Sequence, residues 1–141
     1  TTLSSALALR GEETGGFTTV DLLQLDLFTG EGELFKLGAA PTYIKKGGEV
    51  QRLTGKSLPA GLAEGESGAL DRFTLRLVPG DCVLMVSDGV CPGPEDGWLR
   101  ERLAGFDGAS PKDLARELVT RDLKEATDDR TALVIRVDRR A

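Results

Sequence analysis

Histidine does not occur in this chain, and cysteine occurs only twice in its 141 residues. Without histidine, Ser-His-Asp and Cys-His catalysis as usually built are excluded, and most zinc sites go with them. Cys82 and Cys91 form neither a close-spaced metal pair nor a disulfide framework. Cys82 reads as a small hydrophobe within a buried strand. Long apolar runs are also missing: none approaches the roughly 18 residues that a membrane-spanning helix needs. No signal peptide opens the chain, so a soluble protein without membrane contact is expected. Lys and Arg total 18 against 23 Asp and Glu, for a net charge of −5, and the cations are scattered. Nucleic acid is therefore not an expected partner. Any chemistry must rest on carboxylates, hydroxyls, Lys or Arg, backbone dipoles or a hard metal.

What is present is an ordinary globular composition, 40% hydrophobic, of a length that suits one domain over 1–141. Its organising stretch is Cys82–Val90, CVLMVSDGV, where four apolar residues end abruptly at Ser87, Asp88 and Gly89. An unalternating apolar run predicts a strand buried on both faces, and it places Asp88 at the rim of the core. The glycine that follows permits a sharp turn or a close backbone approach. A second stretch, Asp128-Asp129-Arg130-Thr131, reverses the arrangement ahead of the apolar run Ala132–Val137. If the two strands are neighbours, Asp88 and Asp128 face one another.

Along the chain, Phe17–Phe28 reads as a strand, Thr29–Gly32 as a turn and Glu33–Leu37 as the returning strand. Thr42–Lys46 and Glu49–Leu53 flank Lys46-Gly47-Gly48 as a second hairpin, half polar and so wet on one face. Lys56–Gly68 is a loop, Leu70–Leu77 alternates as a strand, and Val78-Pro79-Gly80-Asp81 turns the chain into Cys82. Cys91-Pro92-Gly93-Pro94 suits neither helix nor strand. Asp96–Gly105 predicts a short helix with Trp98, Leu99 and Leu103 on one side. Ser110-Pro111-Lys112-Asp113 is a helix start, and the helix it opens is expected to reach about Ala126. Its buried face would carry Leu114, Leu118, Val119 and Leu123. Strands first, helices late and one more strand make an α+β domain dominated by antiparallel pairing.

The carboxylates at the strand ends carry two readings. In one, Asp88 opens an Asx-type turn and Asp128 ends a loop, both merely solvated. In the other they hold Mg²⁺ or Mn²⁺, hard cations that choose carboxylate and water oxygens and serve phosphoryl chemistry without histidine. Other phosphate chemistries fail on spacing. The positions six residues after each cysteine hold Asp88 and Gly97 rather than arginine. The nearest match to a Walker loop, Gly55-Lys56-Ser57, lacks the upstream glycine at the required distance.

Val86-Ser87-Asp88-Gly89-Val90 and Asp128-Asp129-Arg130-Thr131 resemble the two C-terminal metal motifs of the metal-dependent type 2C protein serine/threonine phosphatases. Further segments extend the likeness over essentially the whole chain. They are Leu7-Ala8-Leu9-Arg10, Thr18–Leu22, Lys36–Lys45, Leu58-Pro59-Ala60-Gly61 and Pro79-Gly80-Asp81, and as an ordered set they resemble the stage II sporulation protein E branch. The resemblance implies a β-sandwich flanked by helices, in which Asp88 and Asp128 bind metal and Asp129 matches a more variable neighbour. Ser87 and Gly89 match positions that shape the site, and no catalytic residue beyond the metal ligands is implied.

The resemblance also implies two Mn²⁺ or Mg²⁺ ions and an activated water that hydrolyses phosphoserine on an anti-sigma-factor antagonist, so activating a sporulation sigma factor. The parent is expected to be membrane-anchored at the sporulation septum, with this segment a cytoplasmic domain. Two departures qualify it. The family's N-terminal Asp-Gly metal motif has no counterpart in Thr1–Leu70, and Pro92 stands where many relatives carry an acidic residue. The chain thus looks like the C-terminal portion of a phosphatase domain, lacking the first strands and helices. Its two-metal site is expected to be incomplete, its activity weak or absent, and its uncovered apolar surface prone to self-association. A noncatalytic pseudophosphatase or partner-docking module is the competing expectation. A receiver-type phosphoacceptor, which needs alternating βα units, is disfavoured by the hairpins before Leu70.

Overall fold

The computed structural model describes residues 19–55 and 70–139. Its elements are β1 (Val20–Leu25), β2 (Glu31–Leu37), β3 (Thr42–Lys46), β4 (Glu49–Leu53), β5 (Asp71–Arg76) and β6 (Cys82–Val86). Helices α1 (Gly97–Ala104) and α2 (Pro111–Thr120), a 3₁₀ turn at Leu123–Glu125 and β7 (Ala132–Arg136) follow. Every strand pair is antiparallel, as the α+β reading expects. The chain falls into two compact units, Thr1–Ala39 with Thr54–Leu77, and Ala40–Leu53 with Val78–Ala141. The segments Leu7–Arg10 and Leu58–Gly61, and the loop expected over Lys56–Gly68, lie wholly or largely outside the described residues.

The first unit is a three-stranded sheet in the order β1-β2-β5. Its register places Lys36 of β2 between Asp21 of β1 and Asp71 of β5. The Lys36 ammonium is fully buried and pairs with Asp21 at 2.8 Å. Burial lowers its pKa, and the bond to Asp21 opposes that shift. The turn between β1 and β2 comes earlier than the glycines suggested. Asp26 Oδ1 accepts from Phe28 N at 2.8 Å and Thr29 N at 3.2 Å, an Asx turn that ends β1 at Leu25. Leu27 and Phe28 are consequently exposed turn residues rather than strand. β2 already begins at Glu31.

The second unit is a four-stranded sheet in the order β4-β3-β6-β7. Strand β6 is buried on both faces, as its unbroken apolar run predicts: Val83 and Leu84 expose nothing. Cys82, Leu84 and Val86 share one face with Tyr43, and on it pack Leu99 and Leu103 of α1 and Leu114 and Leu118 of α2. The second hairpin is not evenly wet. β3 lies between β4 and β6, so Thr42, Tyr43 and Ile44 are buried, and the solvated residues fall on the edge strand β4. The turn before β6 has Pro79 second and Gly80 third at φ +98°, with Asp81 N donating to Val78 O at 3.0 Å. Asp81 is buried, accepts from Val78 N at 2.9 Å and pairs with Lys46.

Helix α1 starts at Asp96, but the Asp96 carboxylate caps nothing. It accepts from the Tyr43 hydroxyl at 2.7 Å and meets Arg52 at 3.4 Å, which ties the start of α1 to β3 and β4. Burial, reinforced by this carboxylate, raises the Tyr43 pKa. Helix α2 begins as predicted, with Ser110 Oγ accepting from Asp113 N at 3.2 Å and Pro111 in first position. It ends at Thr120, about six residues short of the expected Ala126. The Thr120 hydroxyl donates to Arg116 O at 2.8 Å, Arg121 is extended and Asp122 is left-handed at φ +48°. Leu123 therefore leaves the apolar face and is 60% exposed. Leu118→Ala is expected to cost about 2–5 kcal/mol, whereas Leu123→Ala stays within about 0.5 kcal/mol of the parent. Urea unfolding of both variants checks this, and comparable losses would mean that α2 runs on through Leu123.

Candidate metal centre at the ends of β6 and β7

Strands β6 and β7 pair with Val86 opposite Ala132 and Cys82 opposite Arg136. The contact continues past the ladder into both acidic motifs. Ser87 N donates to Thr131 O at 2.9 Å, and Thr131 N donates to Ser87 Oγ at 2.8 Å. The Ser87 hydroxyl lies 3.4 Å from Asp129 O, to which it donates. Gly89 closes the approach: a Cβ there would stand 2.0 Å from Asp129 O and 3.2 Å from Asp128 O. Only a residue without a side chain fits against this backbone. The two motifs are thus brought together at one end of the sheet, as their placement in the sequence suggested.

Asp88 lies between Ser87 and Gly89, the two residues that grip the second motif, and its side chain is exposed. Asp128 and Asp129 are exposed as well, and Asp128 Oδ1 accepts from Asp129 N at 2.7 Å. That local bond matches the solvated-turn reading of Asp128 and leaves its other oxygen open to solvent. The donors are all carboxylate oxygens, the type that Mg²⁺ and Mn²⁺ take. Among the described residues, no three His, Cys, Asp or Glu side chains gather into a metal-holding group. Cys91 stays in its own loop, with its thiol 3.6 Å from Glu95 O. Burial raises the pKa of both cysteines, away from the reactive thiolate.

Two participants escaped the sequence reading. Arg130 turns inward from the acidic motif, with Nη1 donating to Val119 O at 3.4 Å and to Arg121 O at the end of α2. Arg121 in turn stacks over Trp98, 4.0 Å from the ring centroid. An arginine between an aspartate pair and a strand reads as surface charge, and no local pattern shows that a helix end lies within its reach.

The family of stage II sporulation protein E matches residues 1–138. The chain belongs to that family. Stage II sporulation protein E of Bacillus subtilis (strain 168) is 28% identical over 97% of the chain, which covers 17% of that protein. The manganese-presoaked phosphatase domain of SpoIIE from Bacillus subtilis superposes with a TM-score of 0.75 at 27% identity. That match covers 99% of the chain and 64% of the solved domain, so the chain spans just under two thirds of it. The catalytic domain of the serine/threonine protein phosphatase PstP, solved with two manganese ions, matches with a TM-score of 0.66 at 20% identity. This match covers 93% of the chain and 64% of the PstP domain and bears on the fold alone. The antiparallel sheets and two helices of the described residues thus match part of solved phosphatase domains. No helix among the described residues is long and apolar enough to cross a membrane.

The closure at Gly89 sets an expectation for stability. Gly89→Ala forces the two loops apart and is expected to cost about 1–3 kcal/mol. Ser87→Ala, which removes one acceptor, costs about 1 kcal/mol. Thermal melts that rank Gly89→Ala as neutral would show that the loops do not approach as described.

Proposed function

We propose that this chain forms part of a metal-dependent protein serine/threonine phosphatase, with Asp88 and Asp128 as ligands of Mn²⁺ or Mg²⁺. The observation that carries this reading is the fit of Gly89 against Asp128 and Asp129, which unites two carboxylate-bearing strand ends. Family membership supports it, as do two solved relatives, one presoaked with manganese and one in complex with two manganese ions. When bound, such cations acidify a water and neutralise charge on the phosphoryl group. The chain's own residues do the placing. Ser87 holds Thr131, Gly89 admits the Asp129 carbonyl, and β6 and β7 supply a rigid base for the carboxylates. Asp129 ranks below Asp128 as a ligand, because it matches the more variable neighbour in the family's last motif. The proposed substrate is phosphoserine on an anti-sigma-factor antagonist, a reading that rests on the family alone.

The 141-residue chain by itself is proposed to bind metal weakly and turn over little. A further carboxylate that would complete a three-ligand group is not found among the described residues. The same observation supports the second reading, a noncatalytic docking module on this scaffold. Calorimetric titration with Mn²⁺ separates the cases. Weak binding is expected, abolished by Asp88→Asn or Asp128→Asn and reduced less by Asp129→Asn. Titration curves that are identical in wild type and Asp88→Asn would sink the ligand assignment. Turnover of a phosphoserine peptide by the chain alone would overturn the incompleteness.

A further inference from the structure

We infer that Arg130 is a positioning residue for Asp128, tying the acidic loop to the C-terminal end of α2. The inference deepens the proposed function and rests on its assignment of Asp88 and Asp128 to a cation. A helix end leaves carbonyls without amide partners, and the negative end of its dipole favours a cation. Arg130 meets both needs, because its Nη1 donates to Val119 O and Arg121 O. The guanidinium is not a solvated surface charge. Its Nε is buried with no acceptor among the described residues, so the group has given up water on that side.

The geometry of the neighbours turns this tie into a positional constraint. Asp129, immediately before Arg130, places its carbonyl on Gly89 and near the Ser87 hydroxyl. Thr131, immediately after, gives its N–H to Ser87. Asp128 and Asp129 therefore sit in a segment held on one side by the end of β6 and on the other by α2. Residues 121–129 between α2 and Arg130 are all exposed, so burial does little to fix them. Without Arg130 this stretch loses its tie to the helix that it leaves. A lysine supplies a single point charge in place of the fork and fills the role only in part.

The test compares Arg130→Met and Arg130→Lys with the wild type by two readouts, amide hydrogen exchange and Mn²⁺ titration. Arg130→Met is expected to speed exchange of the Asp129 and Thr131 amides while leaving β3 and β6 protected. It is expected to weaken Mn²⁺ binding by about 10–100-fold, the usual effect of removing a group that orients a ligand. Arg130→Lys restores part of both. Wild-type exchange at Asp129 and Thr131 in Arg130→Met would overturn the inference, and so would a uniform rise that includes β3 and β6. Faster loop exchange with unchanged Mn²⁺ affinity, in a protein whose binding Asp88→Asn abolishes, would overturn it too. Failure of the cation assignment looks different: Asp88→Asn titrates like the wild type, while the exchange response to Arg130→Met still supports the tie.

Discussion

The antiparallel register of β6 against β7 is the constraint on which the candidate site depends. Side chains alternate across a sheet, so a slip of one residue would send Leu84 and Val86 away from the helices and Val83 into their place. It would also separate Ser87 from Thr131 and move Gly89 off the Asp129 carbonyl. The core and the site are therefore specified together. Burial of Cys82, Leu84 and Val86 against α1 and α2 selects the register, and the register delivers the two acidic motifs to one another. Gly89 then acts as a check on the result, because its contact with Asp129 tolerates no side chain.

Among the described residues, the buried charges are paired within each unit. Asp81 meets Lys46 and the Val78 amide, Asp96 meets the Tyr43 hydroxyl and Arg52, and Lys36 meets Asp21. Breaking such a pair leaves a buried charge uncompensated, which is far costlier than the pair's net worth. Their value lies in specificity of placement. Asp81 fixes the entry to β6, and Asp96 fixes the start of α1 against β3. Both act on elements that surround the Cys82–Val86 strand.

Much of this was legible in the sequence because it followed from periodicity and local rules. The apolar run Val83–Val86 announced a doubly buried strand, Ser110-Pro111 announced a helix start, and Pro79-Gly80 announced a turn. The two acidic motifs, each abutting an apolar run, announced a meeting of strand ends. What could not be read depended on partners distant in the chain. The end of α2 was set by the Thr120 hydroxyl and the left-handed Asp122, against a run of residues that otherwise suits a helix. The burial of β3 followed from its place between β4 and β6, which its half-polar sequence does not reveal. The inward turn of Arg130 needed α2 to stop at Thr120, so one missed boundary hid the other.

The carboxylates themselves divide into two kinds, and the division bears on function. Asp81 and Asp96 are buried, hydrogen-bonded and matched to cations, which is how carboxylates serve a fold. Asp88, Asp128 and Asp129 are exposed, and their backbones place them: the turn of Ser87-Asp88-Gly89 and the loop pinned by Thr131 and Arg130. A glycine of forced identity and a half-buried guanidinium hold these exposed acids in place, as the proposed cation site requires. Hard cations select oxygens of this kind, so the proposed site and the frame that holds it rest on the same residues.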